Sequence, residues 1–174
     1  MRRSRFIPDY YFDTVYEITP DMLKELGIRG VILDIDNTLV PYEIPEPTEE
    51  VRAWLSGLWE AGIKTAFVSN NHRDRVELFN KTLGCPAFFD SGKPSKKSCR
   101  SALKALDTPP EETAIIGDQV FTDVLAGGLA GLGIRILVKP IKDKTSMFFR
   151  FKRLLEKPVI RSYHRKNRKR NSKK

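Results

Sequence analysis

Asp34 and Asp36 stand one residue apart in VILDIDNTLV, residues 31–40, a run otherwise apolar enough to be a buried strand. On an extended backbone side chains alternate with period two, so both carboxylates are expected on the same side. Adjacent like charges repel unless a cation or a shared proton lies between them. Asp118 in GDQVFTD is a third carboxylate expected at the same edge, and carboxylates with waters and a phosphate oxygen form the ligand set that Mg2+ prefers. The plainer alternative, one Asp capping a helix and the other at the surface, leaves the remaining acids unexplained.

A carboxylate held against a metal and a lysine can attack phosphorus and form an aspartyl phosphate. A second carboxylate two residues on can protonate the leaving oxygen and later deprotonate the attacking water. Ser69 and Asn70 of SNN offer a hydroxyl and an amide to phosphoryl oxygens, and Lys93 of GKP offers a neutralising charge.

These clusters need elements that bring them together. Strands are expected near 31–35, 64–68, 87–89, 113–116 and 134–138, alternating with helices near 48–61, 74–82, 95–106 and 122–130. Thr48 is the expected N-cap of the first helix, with Glu49 and Glu50 in its first turn. Such alternation predicts an α/β, Rossmann-like, mainly parallel sheet with helices on both faces, because parallel strands require helical crossovers. Ligands bind such sheets at the carboxyl ends of the strands, where DIDNT, SNN, GKP and GDQVFTD all fall.

DIDNT, SNN, GKP and GDQVFTD, in that order, resemble the motifs of the haloacid dehalogenase superfamily, phosphatase branch. Four ordered motifs are far more specific than a lone D-x-D-x-T. The resemblance implies Asp34 as nucleophile, Asp36 as general acid/base, and Ser69, Asn70 and Lys93 as phosphate binders, with Thr38 and Asp123 in support. It also implies Mg2+ held by the Asp34 side chain, the Asp36 backbone carbonyl and Asp118. A closer resemblance runs through FIPDYYFDTVYEITPDMLKELGIRGVILDIDNTLVPYE and IIGDQVFTDVLAGGLAG to the YqeG-like subfamily of class IIIA phosphatases. That group is related to phosphatidylglycerophosphate phosphatases of phosphatidylglycerol synthesis, so the implied substrate is an anionic phospholipid.

The spacing bears on substrate size. About 30 residues separate motifs one and two and about 20 separate SNN from GKP, too few for a lid domain, so a capless, open site is expected. An open site suits a phosphate presented on a lipid head group, a protein or a nucleic-acid end better than a small metabolite.

Charge is unevenly placed within the formal net +9. Residues 139–174 hold 15 of the 31 Lys and Arg but only Asp143 and Glu156 of the 22 acids. Three regions are expected: a phosphatase domain over 1–140, a basic amphipathic helix over 141–160, and a basic, disordered tail over 161–174. In TSMFFRFKRLLEKP, Met147, Phe148, Phe151, Leu154 and Leu155 share one helical face and Arg150, Arg153 and Lys157 the other. That pattern fits an interfacial membrane anchor and equally a final helix packed on the sheet. The tail fits an anionic leaflet or, through charge alone, RNA.

Other features point away from competing classes. No run approaches the roughly 18 apolar residues of a membrane-spanning helix, and acids at Asp9, Asp13 and Glu17 disfavour a signal or transit peptide. A cytoplasmic protein, peripheral at the cytosolic membrane face, is expected. Cys85 and Cys99 are read as free thiols, His72 and His164 as too distant for a metal site, and Trp54 and Trp59 as packing residues. No P-loop or G-x-G-x-x-G is present, so no nucleotide cofactor is expected. Two alternatives stay open: a phosphatase acting on a protein or nucleic acid, and an RNA- or ribosome-associated module whose phosphatase residues are vestigial.

Overall fold

The computed structural model describes residues 4–142 and 154–165. Six strands form one sheet: β1 (Tyr10–Phe12), β2 (Gly30–Leu33), β3 (Lys64–Val68), β4 (Ala87–Phe88), β5 (Thr113–Gly117) and β6 (Ile134–Val138). Their order is β1-β6-β5-β2-β3-β4, and each adjacent pair is parallel. The helices α1 (Pro20–Glu25), α2 (Glu49–Glu60), α3 (Arg73–Asn80), α4 (Lys97–Leu106) and α5 (Leu125–Ala130) accompany them, and a further helix follows the sheet.

Period-two alternation divides the core between the two faces of the sheet. Val31, Leu33, Phe67 and Ile116 join Leu23 of α1, Leu55 of α2 and Phe79 of α3. Ile32, Ala66, Val68 and Ile115 turn the other way, toward Cys99, Ala102 and Leu106 of α4 and Ala126 of α5. Burial on both faces explains why these strands read as continuous apolar runs. Thr48 caps α2, its hydroxyl accepting from the Val51 amide at 3.3 Å. Trp54 and Trp59 act as packing residues whose indole N–H groups donate to the Ile18 carbonyl and the Thr65 hydroxyl.

Three differences from the expected elements matter. The first strand ends at Leu33, and the Ile35 carbonyl accepts from the amides of Thr38, Leu39 and Val40, a tight turn in which Asn37 takes φ 63°. Asparagine tolerates that left-handed conformation better than most residues. The helix expected at 122 begins instead as a π-helical turn, Val120–Val124, closed by Val124 N–H on the Gln119 carbonyl. Short β1 escaped sequence reading because DYYFD shows no alternation. It is fixed by tertiary partners, pairing with β6 while Asp9 receives the buried Arg135 guanidinium.

The expected helix over 141–160 falls partly outside the described residues, as do Met147, Phe148 and Phe151. Residues 154–165 are helical. Leu154 and Leu155, expected on the apolar face, are exposed, whereas Glu156 is buried and accepts the Val120 amide at 2.9 Å. Val159 and Ile160 then pack on Tyr11, Val120, Val124 and Leu137. The helix is therefore turned so that its docked face follows Glu156. Among the described residues no helix is long and apolar enough to cross a membrane.

Glu156→Ala removes an acceptor from a buried amide, and a desolvated donor left without a partner costs about 1–3 kcal/mol. Urea unfolding should show that loss, and an unchanged midpoint would count against the docked helix.

Candidate active site

The site lies where the strand order reverses. After β2 the chain moves to β3 and β4, then returns to the opposite side of β2 as β5. Crevices open at such switch points, at the carboxyl ends of the strands. Leu33 pairs with Phe67 and Ile116, so the chain leaves β2, β3 and β5 at one level and presents Asp34, Ser69 and Asp118 there.

Lys93 arrives from the loop after β4 and ties these ends together. Its buried ammonium donates to Asp34 Oδ1 at 2.7 Å, to Asp123 Oδ1 at 2.6 Å and to the Val68 carbonyl at 2.7 Å. All three N–H bonds are thereby used. Burial alone would drive the Lys93 pKa down. The carboxylates of Asp123 and Asp34 outweigh burial and hold it above its ordinary value. Asp123 is held above the usual carboxylate range by burial, with Lys93 pulling against that rise and Asp34 adding to it.

Each acid is further fixed. Thr38 Oγ1 donates to Asp34 Oδ2 at 3.1 Å. Asp123 Oδ2 accepts from the Gln119 amide at 3.1 Å, an interaction that the π-helical turn sets up. Gly117 makes room for it, because a Cβ at that position would collide with the Asp123 carboxylate. Oxygens of Asp34, Asp118 and Asp123 lie within 4.8 Å of one another. Three buried carboxylates facing one ammonium leave an excess of negative charge, and a hard divalent cation with oxygen ligands fits both the charge and the donor set. Asp34, Asp118 and Asp123 are the side chains that could hold such an ion, with Asp34 and Asp123 also bonded to Lys93.

Ser69 and Asn70 are both at the site. The buried Ser69 hydroxyl accepts the Asn71 amide at 3.0 Å. Asn70 turns its side chain to the motif-three backbone, its Oδ1 accepting from Lys93 N and its Nδ2 donating to the Lys93 carbonyl. It thus fixes the loop that delivers Lys93.

The chain turns after Leu33, and Asp36 is not one of the three acids clustered as Asp34, Asp118 and Asp123. It meets Asn71 Nδ2 at 3.1 Å and the Arg75 guanidinium at 3.0 and 3.2 Å. The repulsion expected between Asp34 and Asp36 is thus answered by two separate cations, Lys93 and Arg75. Gly117, Asn71 and Arg75 were not singled out from the sequence. The SNN motif contains Asn71, but nothing in HRDR distinguishes Arg75 from Arg73.

His72 and Asp90 form an exposed pair away from this cluster. Cys99 is a free, buried thiol pushed up to about 11 by burial, and Cys85 is likewise free.

A family profile of haloacid dehalogenase-like hydrolases matches residues 42–131, a span that takes in Ser69, Lys93, Asp118 and Asp123. A probable phosphatase of Bacillus subtilis, YqeG, is 37% identical over 95% of this chain and 96% of its own length. The chain belongs to the haloacid dehalogenase-like hydrolases. Within that family it is a hydrolase of the phosphatase type. Pyrophosphatase PpaX of Bacillus velezensis is 34% identical over 51% of this chain and 45% of its own. Among solved structures, the cobalt-bound deoxy-D-mannose-octulosonate 8-phosphate phosphatase of Haemophilus influenzae aligns with TM-score 0.54 at 18% identity. That alignment covers 80% of this chain and 88% of the Haemophilus one, and it shows the shared fold.

Lys93→Met leaves Asp34 and Asp123 buried without their counter-charge. Breaking such a pair costs about 3–5 kcal/mol, to be read from urea unfolding without divalent ions. A raised lysine pKa stabilises the fold fully below the unfolded value of 10.5 and is lost as pH rises through the folded value. The gap between wild type and variant should therefore be at least as large at about pH 9 as at about pH 7. A gap that closes over that range would contradict the buried ammonium.

Proposed function

We propose that the protein is a Mg2+-dependent phosphomonoesterase working through a phosphorylated Asp34, and that its substrate is phosphatidylglycerophosphate. The observation that carries the chemistry is the buried Asp34–Lys93–Asp123 array beside Asp118. Lys93 and Thr38 each take one oxygen of Asp34, which fixes the carboxylate's direction toward the crevice. An Asp34 oxygen attacks phosphorus, the bond to the leaving oxygen breaks, and Asp36 gives that oxygen its proton. Asp36 then takes a proton from the water that attacks the phospho-aspartate, which frees phosphate and restores Asp34. A bound Mg2+ supplies orientation and charge neutralisation for the phosphoryl oxygens.

The lipid reading is supported by openness. Between β2 and α2 the described chain is only a loop, and between β3 and α4 it holds only α3, β4 and their connections. Among the described residues no inserted domain closes over the site, so a head group can reach it while its acyl chains stay in a bilayer. The exposed Leu154 and Leu155, on a segment rich in Lys and Arg, add a surface suited to an anionic leaflet.

Purified protein with Mg2+ should convert phosphatidylglycerophosphate in anionic vesicles to phosphatidylglycerol. Asp34→Asn should lower turnover by on the order of 10⁴-fold or more. Much faster cleavage of a phosphopeptide or of a terminal RNA phosphate would overturn the lipid substrate. Inactivity toward every phosphomonoester would overturn the enzyme.

A further inference from the structure

We infer that Arg75 is the positioning residue for the acid/base carboxylate, and that it joins this carboxylate to the loop 41–46. The inference rests on the assignment of Asp36 as acid/base. Arg75 lies one turn into α3, and its guanidinium makes four hydrogen bonds. Nε and Nη2 reach Asp36 Oδ1 at 3.2 and 3.0 Å, Nη1 reaches the Pro45 carbonyl at 2.7 Å, and Nη2 also reaches the Ile44 carbonyl at 2.8 Å. The planar fork is matched to that task, since it fixes an acceptor's direction as well as its distance.

The surroundings hold the fork in place. Its central carbon lies 5.6 Å from the centroid of the Phe79 ring, itself fully buried in the core. The side chains of Arg75 and Asp36 are each 13% exposed. Arg73 offers the contrast: it pairs with Glu77 at 3.7 Å, both side chains are more than half exposed, and it makes no contact with Asp36. Asn71 fixes the second oxygen of Asp36 from the turn that begins α3. The carboxylate is thus aimed by two residues of one segment, 71–75, while Asp34 is aimed by Lys93 and Thr38.

Loop and acid share one donor. Arg75 Nη2 bonds both Asp36 and the Ile44 carbonyl, so movement of the loop and reorientation of Asp36 cannot be independent. Tyr42 and Ile44 are exposed on this loop.

The test uses the full chain and a series of aryl phosphates running from 4-nitrophenyl phosphate, a good leaving group, to phenyl phosphate, a poor one. The constant read is kcat/KM, which reports steps through formation of the phospho-aspartate. Proton donation matters more as the leaving group worsens, so Arg75→Met should lose on the order of tenfold more with phenyl than with 4-nitrophenyl phosphate. Arg75→Lys keeps the charge without the fork and should fall between, which keeps the test open if the Met variant folds poorly. Amide exchange over residues 41–47 should rise in either variant. Equal losses across the series, or unchanged exchange in this loop, would overturn the inference. Asp36→Asn run alongside separates the two layers. If it steepens the leaving-group dependence and the Arg75 variants do not, the positioning role fails alone; if it shows no steepening, the acid/base assignment fails and the inference with it.

Discussion

One ammonium group organises this protein's chemistry. Lys93 Nζ sits out of water with three acceptors drawn from three different segments of the chain, and it hydrogen-bonds both Asp34 and Asp123. An isolated charge at that depth would be untenable; paired carboxylates make it stable, and it in turn makes them tolerable. The position of Asp34 is therefore set by long-range electrostatics as much as by the strand that carries it. The charge excess that remains among Asp34, Asp118 and Asp123 is the physical reason a divalent cation belongs there.

The fold delivers these groups by simple means. A parallel sheet with alternating burial lets β2, β3 and β5 end at one level. Beyond that level the backbone is irregular by necessity. Asn37 takes a left-handed conformation to turn the chain, the π-helical turn swings Asp123 inward, and Gly117 leaves the space it enters. Local departures from regular geometry cluster at functional sites when surrounding contacts over-determine them, as Thr38, Asn70 and Gln119 do here.

Much of this was legible in the sequence, for reasons that can be stated. Strand β3, expected at 64–68, is found as Lys64–Val68, because its apolar run is long and bounded by polar residues. The cap at Thr48 was readable from residue type and spacing alone. What escaped depends on contacts distant in sequence. Strand β1 exists because β6 and Arg135 hold it, and no local pattern announces that. The strand was expected to run on to Ile35, two residues past its end at Leu33, and the turn at Ile35 with the Arg75 partner of Asp36 was not legible. The C-terminal helix was read by its leucines, yet the face that docks carries the buried Glu156 with Val159 and Ile160.

The adjacency of β1 and β6 has a consequence for how the chain is made. Tyr10–Phe12 is made before the other strands, yet among the described residues its strand partner is Ile134–Val138, the last of the six in chain order. Until then the first strand has no ladder to join, and Asp9 has no Arg135 to receive. Synthesis proceeds from the amino end and folding follows as segments emerge. Here the first of the six strands waits for the last, so this edge of the sheet forms only once β6 has been translated.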